Sequence, residues 1–207
     1  MKKERALLLL SGGIDSPVAG LAAKKRFDLC AIHFSQEPFT DSTPEEKALA
    51  AAKKIGLKKL IVVDAGKSLQ KIADTTYREY YFVLMKIFFM KVSEKVAEKK
   101  KCEYLVTGES MGQVSSQTIS NLNNINREVD MEILRPLLFL SKQEIIDLSI
   151  KNDLYSISCG KEMCDALATG KPKTISDREK IVFEKKRCEM DKLVEEAMKE
   201  IRLKKVI

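Results

Sequence analysis

Leu7-Leu8-Leu9-Leu10-Ser11-Gly12-Gly13-Ile14-Asp15-Ser16-Pro17 decides the fold. Four leucines fall far short of the ~20 apolar residues of a membrane span. They read as a strand buried on both faces. The strand runs into Ser11-Gly12-Gly13, a turn whose missing Cβ atoms let backbone N–H groups approach a ligand. Asp15 or Ser16 suits the cap of a following helix, and Pro17 its first position. A strand, a glycine turn and a helix N-terminus in that order make an anion site, with N–H donors at the positive end of a helix dipole. A Gly-Gly pair alone would be ordinary turn geometry; here the serines and Asp15 around it give it chemical content. No Gly-Lys-Ser/Thr follows, so the loop is not of the Walker kind.

Working outward, the pattern predicts a helix over 17–26 and a strand over 29–34. After a loop containing Pro38, Thr43-Pro44-Glu45-Glu46 reads as a capping box opening a helix to Ile55, stopped at Gly56. Leu60-Ile61-Val62-Val63 is a third strand. Successive βα units of this kind predict an α/β fold with a doubly wound parallel sheet. A long helix is expected from about Thr76 to Lys100, its aromatic residues at helical spacing serving the core more readily than base stacking. Tyr104 to Thr107 is a fourth strand, 112–131 is polar and turn-rich, and 133–137 is extended. Ser141-Lys142-Gln143-Glu144 is a second capping box, opening a helix to Lys151, and 155–158 is expected to be extended. After an irregular stretch, Ser176-Asp177-Arg178-Glu179 opens one charged terminal helix to about Lys204. Its Val182, Leu193, Val194 and Met198 could pack on the domain or on another subunit, as in a homodimer. The expected division is a domain over 1–175 and a helical extension over 176–207.

Composition bounds the partners. The 207 residues suffice for one α/β domain with a full core. The 37 basic and 30 acidic residues leave a formal charge of +7, which suits an anionic partner such as ATP or RNA, or a plain lysine-rich surface. Nothing resembles a membrane span or a signal peptide, so no membrane partner and a cytoplasmic location are expected. In that compartment five cysteines argue for thiol chemistry or metal more than for structural disulfides. Cys30 and Cys102 sit in or beside strands and read as packing residues. His33 is the single histidine and reads as a strand-end structural residue, so Cys/His zinc spacing is absent.

In an open α/β sheet, ligands bind beyond the carboxyl ends of the strands, where the strand order reverses. Three stretches lie at such ends: the Ser11 loop; Ile32-His33-Phe34, whose backbone could read adenine; and 108–118. In the last, Gly108 and Gln113 belong to a run of small and amide residues that admits a phosphate or base, and Glu109 could touch a metal or ribose.

Ser11-Gly12-Gly13-Ile14-Asp15-Ser16 resembles the PP-loop signature of ATP pyrophosphatases, which cleave ATP between the α and β phosphates. Thr107-Gly108-Glu109-Ser110-x-Gly112-Gln113-Val114-x-Ser116-Gln117-Thr118, then Asn121-Leu122 and Arg135-Pro136-Leu137, narrows the likeness. So do His33-Phe34 before Pro38-x-Thr40, and Lys142-x-Glu144-Ile145. Over roughly 5–175 the chain is similar to the ThiI-type tRNA 4-thiouridine synthetase family. The resemblance implies the adenine nucleotide alpha-hydrolase-like (PP-loop) fold and ATP-dependent sulfur insertion into tRNA. The uridine C4 oxygen would attack the α-phosphorus, pyrophosphate would leave, and a sulfur nucleophile would displace AMP. Ser11, Gly12, Gly13, Asp15 and Ser16 would hold the pyrophosphate, Asp15 would position Mg²⁺, and Lys142 matches a family lysine tied to the nucleotide reaction.

Family members join this domain to a ferredoxin-like region and a THUMP domain, and many to a rhodanese domain. This sequence shows none of them, so tRNA binding is expected to need a separate RNA-binding subunit, and sulfur a donor protein or sulfide. Cys164 matches the family's cysteine in this domain, with Cys159 as its partner in a transient disulfide. With Cys188 the two could instead ligate an iron–sulfur cluster. Two other readings fit a PP-loop: a ligase or amidotransferase acting on a small molecule, and a non-enzymatic adenine-nucleotide-binding regulatory module.

Overall fold

The leucine run becomes the strand β1 (Arg5–Leu9), with Ala6, Leu7 and Leu8 sealed from solvent. In this computed structural model, which describes residues 3–112, 117–160, 167 and 171–207, β1 lies in the middle of a six-stranded sheet. The chain continues through α1 (Asp15–Lys24), β2 (Asp28–Ser35), α2 (Thr43–Ile55), β3 (Lys59–Asp64) and α3 (Gly66–Thr75). A short 3-10 turn (Arg78–Tyr80) leads to α4 (Tyr81–Lys100), β4 (Tyr104–Val106), α5 (Ile119–Asn126) and β5 (Glu132–Leu134). There follow α6 (Lys142–Lys151), α7 (Tyr155–Ser158), α8 (Arg178–Arg187), α9 (Met190–Ala197) and β6 (Ile201–Lys205).

The strand order is β5-β4-β1-β2-β3-β6, parallel except for β6. Leu7 is flanked by Cys30 on β2 and Leu105 on β4. The chain winds outward from β1 to β3, then returns to the other side of β1 for β4 and β5. The reversal therefore falls between β1 and β4, the place where a doubly wound sheet opens a crevice.

Alternation along each strand divides the core. Ala6 and Leu8 face α1, α2 and α6, through Val18, Ala19, Ala48, Ala51, Ile55 and Ile145. Leu7 faces α3, α4, α8 and α9, through Leu69, Ile72, Phe88, Ile181 and Leu193. The aromatic run does serve this core: Tyr80, Tyr81 and Phe88 are buried, whereas Tyr77 is exposed.

Four elements depart from the expected ones. The long helix begins at Tyr81 rather than Thr76, and a separate α3 precedes it, uncapped by any side chain. Within the polar 112–131 stretch, α5 forms because Thr118 accepts a hydrogen bond from Asn121 N and tertiary bonds engage its asparagines, including Asn124 Nδ2 to Ser176 O at 2.9 Å. Residues 155–158 make a helical turn, not an extended segment. The terminal helix is two helices and a strand. It breaks at Glu189, whose φ of 54° is left-handed, and the chain then returns as β6 antiparallel to β3. Arg202 pairs with Asp64 and Glu45, and Lys204 with Glu45. Leu193 and Val194 pack into the core beside α4, so 176–207 is woven into the same sheet and core as the rest.

Candidate nucleotide site

The Ser11 loop is held by its own hydroxyls. Ser11 N donates to Ser16 Oγ at 2.8 Å, the two hydroxyls lie 2.9 Å apart, and Gly13 N donates to Ser11 Oγ at 3.2 Å. The expected capping by Asp15 or Ser16 is not made: α1 starts at Asp15, its N-cap is Ile14, and no side chain caps it. Ser16 instead reaches back into the loop, which leaves the positive end of α1 without an internal carboxylate or hydroxyl cap. That is the electrostatic requirement for receiving an outside anion.

Two glycines are demanded by packing. A Cβ on Gly12 would lie 2.9 Å from Pro44 O, at the start of α2. A Cβ on Gly108 would lie 2.6 Å from Ser16 N and 2.7 Å from Asp15 C. The C-terminal end of β4 thus presses directly on the backbone at the start of α1, joining the two sides of the switch point.

Lys142 Nζ meets Asp15 Oδ1 at 2.7 Å, across 127 residues of sequence. The lysine is presented by the capping box at the start of α6. Ser141 Oγ accepts from Glu144 N at 3.3 Å, and the Glu144 carboxylate accepts from Ser141 N at 2.7 Å. The Ser141 hydroxyl, which also donates to that carboxylate at 2.7 Å, and the Ser141 N–H together hold the Glu144 carboxyl below its usual range. Lys142 is half exposed and Asp15 about a quarter, so the pair faces the crevice.

Glu109 lies deeper. Its carboxylate accepts from Lys86 Nζ at 3.0 Å, Arg135 Nε at 2.7 Å and Thr107 Oγ1 at 3.1 Å. Burial pushes this carboxyl up, but Lys86 and Arg135 overcome that and hold it at about 2. Both oxygens are engaged and the residue is 2% exposed. The expected contact with a metal or ribose is therefore replaced by a bracing role. Arg135 Nη2 also donates to Asn126 Oδ1 at 2.8 Å, tying β5 to the end of α5.

At the end of β2, Ile32 O accepts from Leu10 N at 2.8 Å. His33 Nδ1 donates to Leu10 O at 2.9 Å, which fixes the ring against the exit of β1. Burial holds this imidazole below its usual value, hence neutral. The ring thereby braces the exit of β1, with its Nε2 buried. Phe34 stacks on Phe89 with ring centroids 4.2 Å apart, so its ring belongs to the α4 side of the sheet.

A profile of the family described as "ThiI: Thiamine biosynthesis protein (ThiI)" matches residues 1–190. The chain belongs to the ThiI family. A probable tRNA sulfurtransferase of Alkaliphilus oremlandii is 39% identical over 98% of this chain and 53% of its own length. One from Brevibacillus brevis is 41% identical over 74% of this chain and 40% of its own. The ThiI-family chain thus spans about half the length of the curated relatives it matches. A crystal structure of a 4-thiouridine synthetase–RNA complex with bound ATP superposes with a TM-score of 0.92 at 28% identity, covering 99% of this chain and 55% of that one. The PP-loop fold expected from the Ser11 stretch is the fold observed.

The thiols of this ThiI chain divide by environment. Cys159 is exposed at the end of α7. Lys47 on α2 donates to Cys159 O at 3.0 Å, while its Cβ lies 3.3 Å from where a Gly12 side chain would start. One lysine therefore links the cysteine segment to the glycine turn. No sequence signal singled Lys47 out; it is one of many helix lysines, and its role comes from α2 crossing the loop. Cys164 and Gln113 lie outside the described residues. Cys188 is fully buried in the α4–α9 core, donates to Lys185 O at 3.4 Å, and burial pushes its thiol up to about 11. Cys188 is thus sealed in that core while Cys159 is exposed at the end of α7, so the described members of the expected Cys159, Cys164 and Cys188 set lie in different environments. Among the described residues no group of three potential ligands converges on a metal site.

Proposed function

We propose that this chain performs the ATP-activating and sulfur-transfer chemistry of tRNA 4-thiouridine formation. The observation that carries the reading is the Asp15–Lys142 pair set beside the Ser11-Gly12-Gly13 turn at the sheet's switch point. The glycine turn and the start of α1 offer donors and a positive dipole to the β- and γ-phosphates. Lys142 stands where it can turn from Asp15 to a phosphate oxygen and draw off charge as the uridine C4 oxygen attacks the α-phosphorus. Pyrophosphate then leaves as an anion into the loop that bound it. The activated carbon next accepts sulfur, and AMP departs.

Mg²⁺ fits this site as an ion brought with the nucleotide, since such ions take one or two carboxylates and complete their shell with phosphate oxygens and water. Asp15 would hold it; bound there, the ion supplies further neutralisation of phosphate charge. The iron–sulfur alternative does not fit, because Cys188 is sealed in the core. Cys159, tethered by Lys47 beside the glycine turn, supports a thiol or persulfide route with Cys164 as the other thiol. Persulfide sulfur would come from a donor protein, or sulfide would attack the activated carbon directly; RNA selection would come from a separate RNA-binding subunit or a second copy of this chain, and the work would be done in the cytoplasm. No helix among the described residues is long and apolar enough to cross a membrane.

The test incubates the chain with ATP, Mg²⁺, sulfide and unmodified tRNA, and measures AMP, pyrophosphate and nucleoside 4-thiouridine. The expected result is equimolar AMP and thiouridine, abolished by Asp15→Ala in a protein of unchanged circular dichroism. ATP binding without AMP release under any acceptor would instead support the regulatory reading, and AMP release only with a small-molecule acceptor the ligase reading.

A further inference from the structure

Besides the core residue Cys188, two cysteines remain that the proposed chemistry does not use. Cys30 lies on β2, on the α4 face of the sheet, and Cys102 in the turn between α4 and β4. Arg5 Nη2, at the start of β1, donates to Cys30 Sγ at 3.1 Å. The Cys102 thiol neighbours the same sulfur, and its interaction is the largest influence lowering the Cys30 thiol's pKa. Arg5 is held by its own contacts, Nη1 donating to Lys100 O and Nε lying 3.5 Å from Asp28. So a guanidinium and a thiol both converge on one sulfur, although an aliphatic side chain would pack there without needing either.

Access differs between the two. Cys30 is half-buried and Cys102 buried, so a small oxidant meets Cys30 first. The position is also remote from the crevice. Arg5 opens β1 and Ser11 follows its far end, about 20 Å away at strand rise.

We propose that Cys30 and Cys102 form a dithiol redox site, with Cys30 as the attacking thiolate and Cys102 as the resolving thiol, oxidised by a hydroperoxide to an intrachain disulfide. The Cys30 thiolate attacks the terminal peroxide oxygen, the O–O bond breaks, and hydroxide or alkoxide leaves, giving a sulfenic acid. The Cys102 sulfur then attacks the sulfenic sulfur; the S–O bond breaks, the S–S bond forms, and the Cys102 proton leaves with hydroxide as water. Two electrons pass from the dithiol to the peroxide.

The charge environment supports those roles. The interaction with Cys102, then the charge of Arg5, outweigh the cost of burial and the nearby Asp28, holding the Cys30 thiol at about 6. The reciprocal interaction and burial push Cys102 up, so it keeps its proton until the sulfenic acid forms.

The experiment uses the full chain carrying Cys159→Ser and Cys164→Ser, which removes the competing ordinary thiols. Stoichiometric hydrogen peroxide is expected to yield a species lighter by two hydrogens, with a peptide map joining 30 to 102. In Cys102→Ser the reaction stops at a sulfenic acid on Cys30, trapped by a cyclic 1,3-diketone. The pH midpoint of Cys30 alkylation by iodoacetamide is expected near 6 and to rise by a pH unit or more in Arg5→Gln or Cys102→Ser. The midpoint is read, not the rate, because a thiolate of low pKa is also the weaker nucleophile. A midpoint in the ordinary range of about 8–9, or peroxide oxidation that leaves 30 and 102 unjoined, overturns the proposal. Both readouts are independent of ATP turnover, so failure here and failure of the thiolation reading are separate outcomes.

Discussion

Replacing Glu109 by glutamine removes one negative charge from a pocket that keeps two positive ones. The Glu109 side chain is 3% exposed, Arg135 8% and Lys86 21%, so only the lysine can relax toward water. Deleting one partner of a buried ion pair costs ~3–5 kcal/mol, because the other charge stays desolvated. The titration gives a second route to the magnitude. A carboxyl held at about 2 in the fold, against ~4.3 when unfolded, contributes about 3 kcal/mol of stability at neutral pH. Since Lys86 retains some water, the lower figure is expected. For a chain of this size each kcal/mol shifts Tm by ~2–4 °C, so Glu109→Gln should melt roughly 6–12 °C below the parent. The sign with pH follows. The folded value is depressed, so the contribution is complete above ~4.3 and lost as pH falls toward about 2. The Tm gap between parent and variant should therefore narrow from pH 5 to pH 3. Thermal unfolding followed by circular dichroism measures both, and Glu109→Gln/Arg135→Met should recover part of the loss by removing the stranded cation. A Tm drop under ~2 °C at pH 7, or a gap that stays constant down to pH 3, would refute the bracing role.

Gly108→Ala places a methyl against backbone atoms 2.6–2.7 Å away, so the start of α1 must shift; ATP affinity by equilibrium dialysis should fall at least ~10-fold, with the far-UV spectrum retained. Lys142→Gln breaks a pair that is largely solvated, so urea unfolding should change by under ~1 kcal/mol. AMP formation should fall by ~10²-fold or more, the scale for loss of a charge-stabilising donor; equal small effects on both would remove Lys142 from the chemistry. Ser141→Ala deletes one half of the capping box and should cost ~1 kcal/mol in urea unfolding, with a smaller effect on turnover than Lys142→Gln.

The sheet and the glycine turn after β1 were legible because they rest on local signals. A buried run of leucines can be little else but an inner strand here, and the glycines and Pro17 after it mark a turn and a helix start. The capping box at Ser141 was legible for the same reason and forms with both bonds. The Thr43 box was not realised, since Ser42 occupies the N-cap and its hydroxyl bonds Glu46 instead. Elements whose cause is distant were not legible. Helix α5 depends on asparagine bonds reaching residues 173–176, and β6 on the exposed edge of β3 and on the acids Asp64 and Glu45 that meet its Arg202 and Lys204. A charged alternation of five residues gives no sign of that edge. Glu109 was misread for a related reason: its position after a strand suggests a ligand contact, and only the fold reveals that Lys86 and Arg135 already occupy both its oxygens.

The block 107–111 explains how Asp15 and Lys142, far apart in sequence, come to share one hydrogen bond. On one side Gly108 packs against the backbone of Asp15 and Ser16. On the other, Met111 N donates to Leu138 O at 2.9 Å and Ser110 Oγ to Leu140 O at 2.7 Å, two residues before Lys142. Gln117 Oε1 accepts from Ser110 N at 3.2 Å and closes the block on itself. Beneath them Thr107 and Glu109 fasten the same segment to Lys86 and Arg135. Each residue in this run therefore has an assigned mechanical task, and the tasks converge on one distance. A charged pair that is partly exposed has little intrinsic preference for a fixed geometry. Here its two backbones are clamped to a common brace, so the lysine is already beside the carboxylate and the helix start before any nucleotide arrives. Preorganisation of that kind is where an electrostatic site gains its advantage over the same charges in water.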